Sequence, residues 1–180
     1  EMQQILPGKL ELLPRPPEIP EIVEDAPDLL GNATLKARGV MEVTGMPVIA
    51  DDTGLEVEVL NGEPGVLSAR YAGPDAQSED NIKKLLSELA DIPMARRGAR
   101  FRTVIVVLWP DETFATAEGV VFGKIALAPI GNLGFGYDSI FLPSEIPGKT
   151  FAEISDSEKN RISHRGRALN DIAKVLLRTS

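Results

Sequence analysis

The sequence has no cysteine, one histidine, one tryptophan and two tyrosines among its 180 residues. The missing thiols exclude disulfides, zinc–thiolate centres and cysteine nucleophiles, and they give no sign of an oxidising compartment. Any histidine chemistry must take place at His164. Long hydrophobic runs are also missing: the longest, Val104 to Trp109, is far too short to span a bilayer. The opening residues lack the charged-then-apolar pattern of an export leader, so the expectation is a cytoplasmic protein with no membrane partner. Positive charge is in deficit. A net charge of −8 argues against a nucleic-acid polymer as partner, because its phosphate backbone would be repelled.

What is present suits a globular chain. The length fits a single domain over residues 1–180, with two lobes around one core. Residues Met2 to Leu6 read as the last turns of a helix, and Lys9 to Leu13 alternate as a short strand does. Arg15 to Pro27 holds four prolines among acidic residues, so it reads as an extended surface segment. Asn32 is placed to cap a helix running to about Val43, with Gly45 as its end. Val48-Ile49-Ala50 reads as a short buried strand ending at Asp51, with strand character resuming from Leu55 to Val59. Ser78 to Leu89 carries helical spacing in Ile82, Leu85, Leu86 and Leu89. Ala99 to Trp109 and Thr113 to Val121 form a hairpin about Pro110-Asp111-Glu112, and Gly123 to Ala128 suggests a third strand. Gly131 to Phe141 reads as a structured loop, and helices follow at Ser155 to Ile162 and Ser163 to Arg178. Interspersed helices and strands predict an α/β or α+β fold with a mixed sheet.

Four stretches could carry chemistry. Asp51 and Asp52 are adjacent carboxylates beside a buried strand and need neutralising. A divalent cation such as Mg²⁺ does this with one or two carboxylates plus phosphate oxygens, and an Asx turn is the structural alternative. Lys159 to Arg167 contains Lys159, Arg161, Arg165, Arg167 and His164, with Ser163 as a natural N-cap. Basic residues at a helix N-terminus oppose its dipole, which an anionic ligand would explain; a solvated basic face paired with Asp156 and Glu158 is the other reading. In Gly131 to Asp138, Phe135 and Tyr137 could stack on a base and Asp138 could accept from a ring N–H, or the aromatics could enter the core. Lys36 could meet a phosphate or lie along the surface.

In order and spacing, Asn32-Ala33-x-x-Lys36-Ala37, Ala50 to Leu55, Gly65 to Gly73 (GVLSARYAG), Gly134 to Asp138, Phe151-Ala152-Glu153 and Ser163 to Leu169 resemble the inosine triphosphate pyrophosphatase family. The resemblance implies a two-lobed α/β fold around a long twisted mixed β-sheet flanked by helices, with the active-site cleft between the lobes, and a homodimer. It implies Mg²⁺-dependent hydrolysis of inosine, deoxyinosine and xanthosine triphosphates to the monophosphate and pyrophosphate, a nucleotide-pool sanitation activity. On that resemblance Asp52 would position the attacking water or the metal, with Asp51 beside it. Lys36 would contact the phosphates, Phe135 would stack on the purine, and Tyr137 would wall the pocket. Asp138, Lys159, Ser163, His164 and Arg165 would surround base and sugar.

The sequence departs from the family pattern at several positions. The family opens with a strand and a Thr/Ser-x-Asn-x-x-Lys loop that grips the triphosphate, and Glu1 to Leu6 aligns just after that loop. Gly31 stands where the family is expected to carry a metal-binding Glu, Ile130 in place of an Arg, and Ser139 in place of a Pro. These departures frame an alternative: a purine-nucleotide-binding protein with an intact base pocket and impaired catalysis.

Overall fold

The structure, a computed structural model, describes residues 2, 6 and 11–177. Most of the expected helix at 2–6 and the start of the expected strand at 9–13 lie outside the described residues, as does residue 178, the last of the expected closing helix. Residues 11–13 form no strand. Prolines at 14, 16 and 17 follow at once and cannot donate to a ladder.

The chain orders as α1 (Leu29–Thr44), β1 (Val48–Val57), β2 (Pro64–Gly65), α2 (Ser78–Glu88), β3 (Gly98–Leu108), β4 (Phe114–Ile125), β5 (Phe141–Pro143), α3 (Asp156–Ile162) and α4 (His164–Leu176). The strands make one sheet in the order β2-β1-β3-β4-β5. The α/β class and the long helix-flanked sheet agree with expectation, but the mixed pairing does not. Every pairing among the described residues is antiparallel. The link from β1 to β3 returns the chain to the end where β1 stops, so that Val57 pairs with Ala99 and the strand runs back.

Three boundaries differ from the sequence pattern. Strand β1 is continuous through Asp51 and Asp52, which therefore sit in mid-strand. Residues 123–125 extend β4 instead of starting a new strand, and β5 adds to them. Helix α1 begins one turn early because Asp28, not Asn32, caps it: Oδ1 of Asp28 accepts from the Gly31 N–H at 2.7 Å. Gly45 ends α1 in the left-handed conformation. Ser155 caps α3, and Ser163 caps α4 as its position predicts.

The continuous apolar run in β3 has a structural cause. From Val104 to Leu108 every residue is buried, because helices cover both faces of the sheet there. Ala33, Ala37 and Met41 of α1 pack on Val106 and Leu108 from one side. Leu169 and Ile172 of α4 pack on Ile105 and Val107 from the other. Burying each such leucine or isoleucine contributes about 2 kcal/mol. Small alanines in α1 keep that helix close to the sheet, which later fixes the reach of Lys36. At the opposite end of the strands a larger core gathers Leu55, Phe101, Val121, Phe141 and Phe151 with Leu85 and Leu89 from the α2 region.

Helix α4 lies unusually close to β4 at Gly119. A Cβ there would come within 1.9 Å of the His164 carbonyl oxygen and 2.6 Å of the Ala168 nitrogen. Both are backbone atoms, so no side-chain rotation relieves the clash. We expect Gly119→Ala to cost on the order of 3 kcal/mol, read as a lowered midpoint in urea. Unchanged stability would contradict the close packing that places His164 and Arg165.

Candidate active site

Side chains alternate between the faces of a strand, so the adjacent carboxylates Asp51 and Asp52 point to opposite sides of the sheet. Asp52 faces α1. Its Oδ1 lies 2.8 Å from Lys36 Nζ, and its Oδ2 accepts from Asn32 Nδ2 at 3.2 Å. Asn32 and Lys36 are one turn apart on α1, which puts both on the face turned to the strand. Lys36 Nζ also meets Glu24 Oε2 at 3.0 Å. Burial opposes the lysine's charge, but hydrogen bonds and attraction from Asp52 and then Glu24 more than offset it, so its pKa is raised. Two carboxylates thus share one ammonium.

Asp51 faces α4. Its Oδ2 accepts from Arg165 Nε at 3.0 Å and Nη2 at 2.8 Å. The strand period therefore does not bring Asp51 and Asp52 to one face, and Asp51 pairs with Arg165.

On the α4 side a cavity of about 310 Å³ is bounded by Thr53, Ser68, Asn81, Phe101, Tyr137 and His164, with Phe135, Asp138, Lys159 and Arg165 also lining it. The glycine-rich loop is tied into it. Asp138 Oδ2 accepts from the Phe135 N–H at 2.8 Å and from Lys159 Nζ at 2.5 Å. Tyr137 donates from its hydroxyl to the Ser68 carbonyl at 2.9 Å and is buried, which raises its pKa. Phe135 is 65% exposed, and its ring meets the Lys159 ammonium at 4.6 Å and the Arg165 guanidinium at 5.9 Å. Ser163 does not line the cavity. It is buried, and its Oγ accepts from the Gly166 N–H to cap α4.

His164 is buried and stacked on Phe101, with centroids 4.6 Å apart. Its Nδ1 has no hydrogen-bond partner among the described residues. The ring thus carries a buried polar atom that the described residues leave unsatisfied. Burial, reinforced by the charges of Arg165, Lys159 and Arg167, pushes the imidazole down to about 3, so the ring is neutral at physiological pH.

Lys36 and Asp51 also line a groove of about 410 Å³ with Val40, Ile49, Leu12 and Arg15. The groove follows the outer edge of β1, where β2 pairs only with Leu55 and Glu56. The cavity and Lys36 thus lie on either side of one strand, at Asp51 to Thr53.

The sequence pattern does not single out Glu24 from its acidic neighbours. It becomes a site residue only because the proline-rich segment folds back on α1. Gly31 explains how the segment gets there: a Cβ at that position would meet the Ala26 Cβ at 2.5 Å. Among the described residues no group of three acidic, histidine or cysteine side chains gathers as a metal site. Asp52 and Glu24 around one ammonium nevertheless fit Mg²⁺, which needs only one or two carboxylates when phosphate oxygens and water complete its shell.

The Ham1 family model matches residues 1–175. The chain belongs to the Ham1 family. It is 46% identical over 168 residues to a dITP/XTP pyrophosphatase of Streptococcus mutans, a match covering 93% of this chain and 51% of that protein, so the chain spans about half its length. It is 47% identical over 156 residues to a dITP/XTP pyrophosphatase of Lactiplantibacillus plantarum, covering 87% and 76%. Among solved structures, a HAM1 protein from Coxiella burnetii superposes with a TM-score of 0.89 at 38% identity, covering 98% of this chain and 91% of that one. The Staphylococcus aureus Ham1 protein gives 0.82 at 41%, covering 89% and 82%. The resemblance to inosine triphosphate pyrophosphatases is in keeping with these relatives.

The depressed pKa of His164 makes this Ham1 protein acid-sensitive. Between about pH 6.5 and pH 3 the unfolded chain binds a proton at this histidine that the folded chain does not. The contribution of this histidine to stability is full above pH 6.5 and falls as pH drops through that window. Chemical denaturation should show the parent losing about 2 kcal/mol more than His164→Phe between about pH 6.5 and pH 5. Equal losses would mean that His164 is protonated in the folded state.

Proposed function

We propose that this Ham1 protein hydrolyses inosine, deoxyinosine and xanthosine triphosphates to the monophosphate and pyrophosphate. One observation carries the proposal: a base-sized cavity with paired cations and an unpaired buried imidazole nitrogen lies one strand edge away from a lysine held between two carboxylates. A nucleoside triphosphate is the ligand whose two ends need these two environments. The names of the relatives point the same way.

In this reading the purine stacks on Phe135, and the 6-oxo group takes hydrogen bonds from Arg165 and from His164. Adenine presents an amino group there and leaves those donors unmatched, a mismatch that discriminates strongly. Asp138 holds Lys159 at the base side, and Ser163 acts by fixing the start of α4. Lys36 turns its ammonium to the phosphates. Asp52 orients a water toward the α-phosphorus and takes its proton as the bond to the β-phosphate breaks and pyrophosphate leaves. Asp52 and Glu24 would hold Mg²⁺, which supplies neutralisation of phosphate charge. With Glu24 in place, Gly31 does not leave the site without a second carboxylate, and no observation favours the catalytically impaired alternative. A homodimer and a cytoplasmic setting belong to the same proposal. Exposed Phe114 and Phe122 on β4 supply apolar surface for a second copy. No helix among the described residues is long and apolar enough to cross a membrane.

Pyrophosphate release from inosine triphosphate with Mg²⁺ tests the proposal. Asp52→Asn should lower kcat by about a hundredfold or more. Phe135→Ala should weaken inosine monophosphate binding by about tenfold, the scale of one lost stacking contact. A parent protein releasing no more pyrophosphate than Asp52→Asn would rule the activity out.

A further inference from the structure

The segment from 11 to 28 contains no helix or strand, so the Glu24 carboxylate goes where the segment is gripped. Buried Ile19 and half-buried Ile22 anchor it by packing. Two polar contacts flank Glu24 itself. The Ala26 N–H donates to Asn32 Oδ1 at 3.0 Å, and Arg70 Nη2 donates to the Glu24 main-chain carbonyl at 2.6 Å. Arg70 ends the short 3₁₀ turn Ser68–Arg70. That turn is itself pinned. The Leu55 N–H donates to Ser68 Oγ, Ser68 Oγ donates to the Gly65 carbonyl, and the Tyr137 hydroxyl donates to the Ser68 carbonyl. Asn81 adds contacts to Ala69 and Ala72 on either side of Arg70. The guanidinium is thus a charged donor on a fixed base, gripping a segment that has no ladder of its own, and a charged donor makes the stronger hydrogen bond.

We propose that Arg70 is a positioning residue of the cation site: by holding the main chain of Glu24 it sets that carboxylate against Lys36 and Asp52. The inference rests on the reading of Asp52 and Glu24 as cation ligands. It extends that site to a residue in GVLSARYAG for which neither the motif nor the resemblance supplies a role. It also means that the turn carrying Ser68 at the base cavity and the segment carrying Glu24 at the phosphate side share one rigid connection.

Mn²⁺ binding to the whole chain, followed by electron paramagnetic resonance without nucleotide, tests it. Arg70→Ala should weaken Mn²⁺ by about tenfold, the usual scale for groups that orient a metal ligand. Arg70→Lys keeps a charged donor and should recover most of that loss. In a Glu24→Gln background Arg70→Ala should add nothing, because no carboxylate remains to be placed. Thermal melts of each variant report whether it is folded. If Arg70→Ala binds as the parent does while Glu24→Gln is weakened, the positioning role is overturned and the cation site stands. If Arg70→Ala costs as much in the Glu24→Gln background as in the parent, its effect is general and the inference fails. A Glu24→Gln variant that binds Mn²⁺ like the parent overturns both, as does a parent that binds none. Strong Mn²⁺ binding through Glu24 and Arg70 without turnover of inosine triphosphate would support the inference and count against the activity alone.

Discussion

Asp52 is a carboxylate in the middle of a strand whose neighbours Val104 and Ile105 are buried, and it is tolerable there only because an ammonium and an amide meet it. Removing Lys36 would leave a largely desolvated negative charge without compensation, a far greater cost than the pair's net worth. That requirement organises the rest of the site. Ala33 and Ala37 must be small for α1 to lie close enough to the sheet for Lys36 and Asn32 to reach Asp52. Asn32 is then used twice, donating to Asp52 and accepting from Ala26, which draws the acidic segment in. Glu24 follows, and the lysine ends between two carboxylates.

The sheet divides the chemistry. Because Asp51 and Asp52 are successive residues, one serves α4 and the other α1. In the proposed function the phosphate groups lie on one side and the base on the other. Arg165 is the clearest example of this division: Asp51 holds it by two hydrogen bonds, so it approaches the cavity already oriented. Preorganised cations of this kind cost little reorganisation when a ligand arrives.

Much of this is legible in the residues. The capping serine at 163, the glycine at 45 and the β-branched run of β3 each act locally, and the elements form where they predict. The residues around the base cavity belong to motifs whose spacing is rigid, and Phe135, Tyr137, Asp138, Lys159, His164 and Arg165 do converge. The failures are of another kind. A break at Asp51 is suggested because carboxylates are poor strand residues; tertiary pairing with Lys36 and Arg165 overrides that preference. Asn32 looks like a cap because the true cap, Asp28, stands beside prolines that disguise the helix start. Glu24 cannot be found by periodicity, since its segment has none, and Gly31 looks like a missing ligand although it leaves room for the segment that carries Glu24. Long-range placement of an irregular segment depends on partners scattered from Asn32 to Arg70, which no local pattern encodes.

The central claim is that one cavity reads a 6-oxo purine while one cluster of Asp52, Lys36 and Glu24 handles the phosphates. The most direct test is the ratio of kcat/KM for deoxyinosine triphosphate to that for deoxyadenosine triphosphate, measured with Mg²⁺ on the same preparation. The account predicts a ratio of about a hundredfold or more in favour of deoxyinosine triphosphate, because adenine leaves buried donors unpaired. Equal values for the two substrates would contradict it.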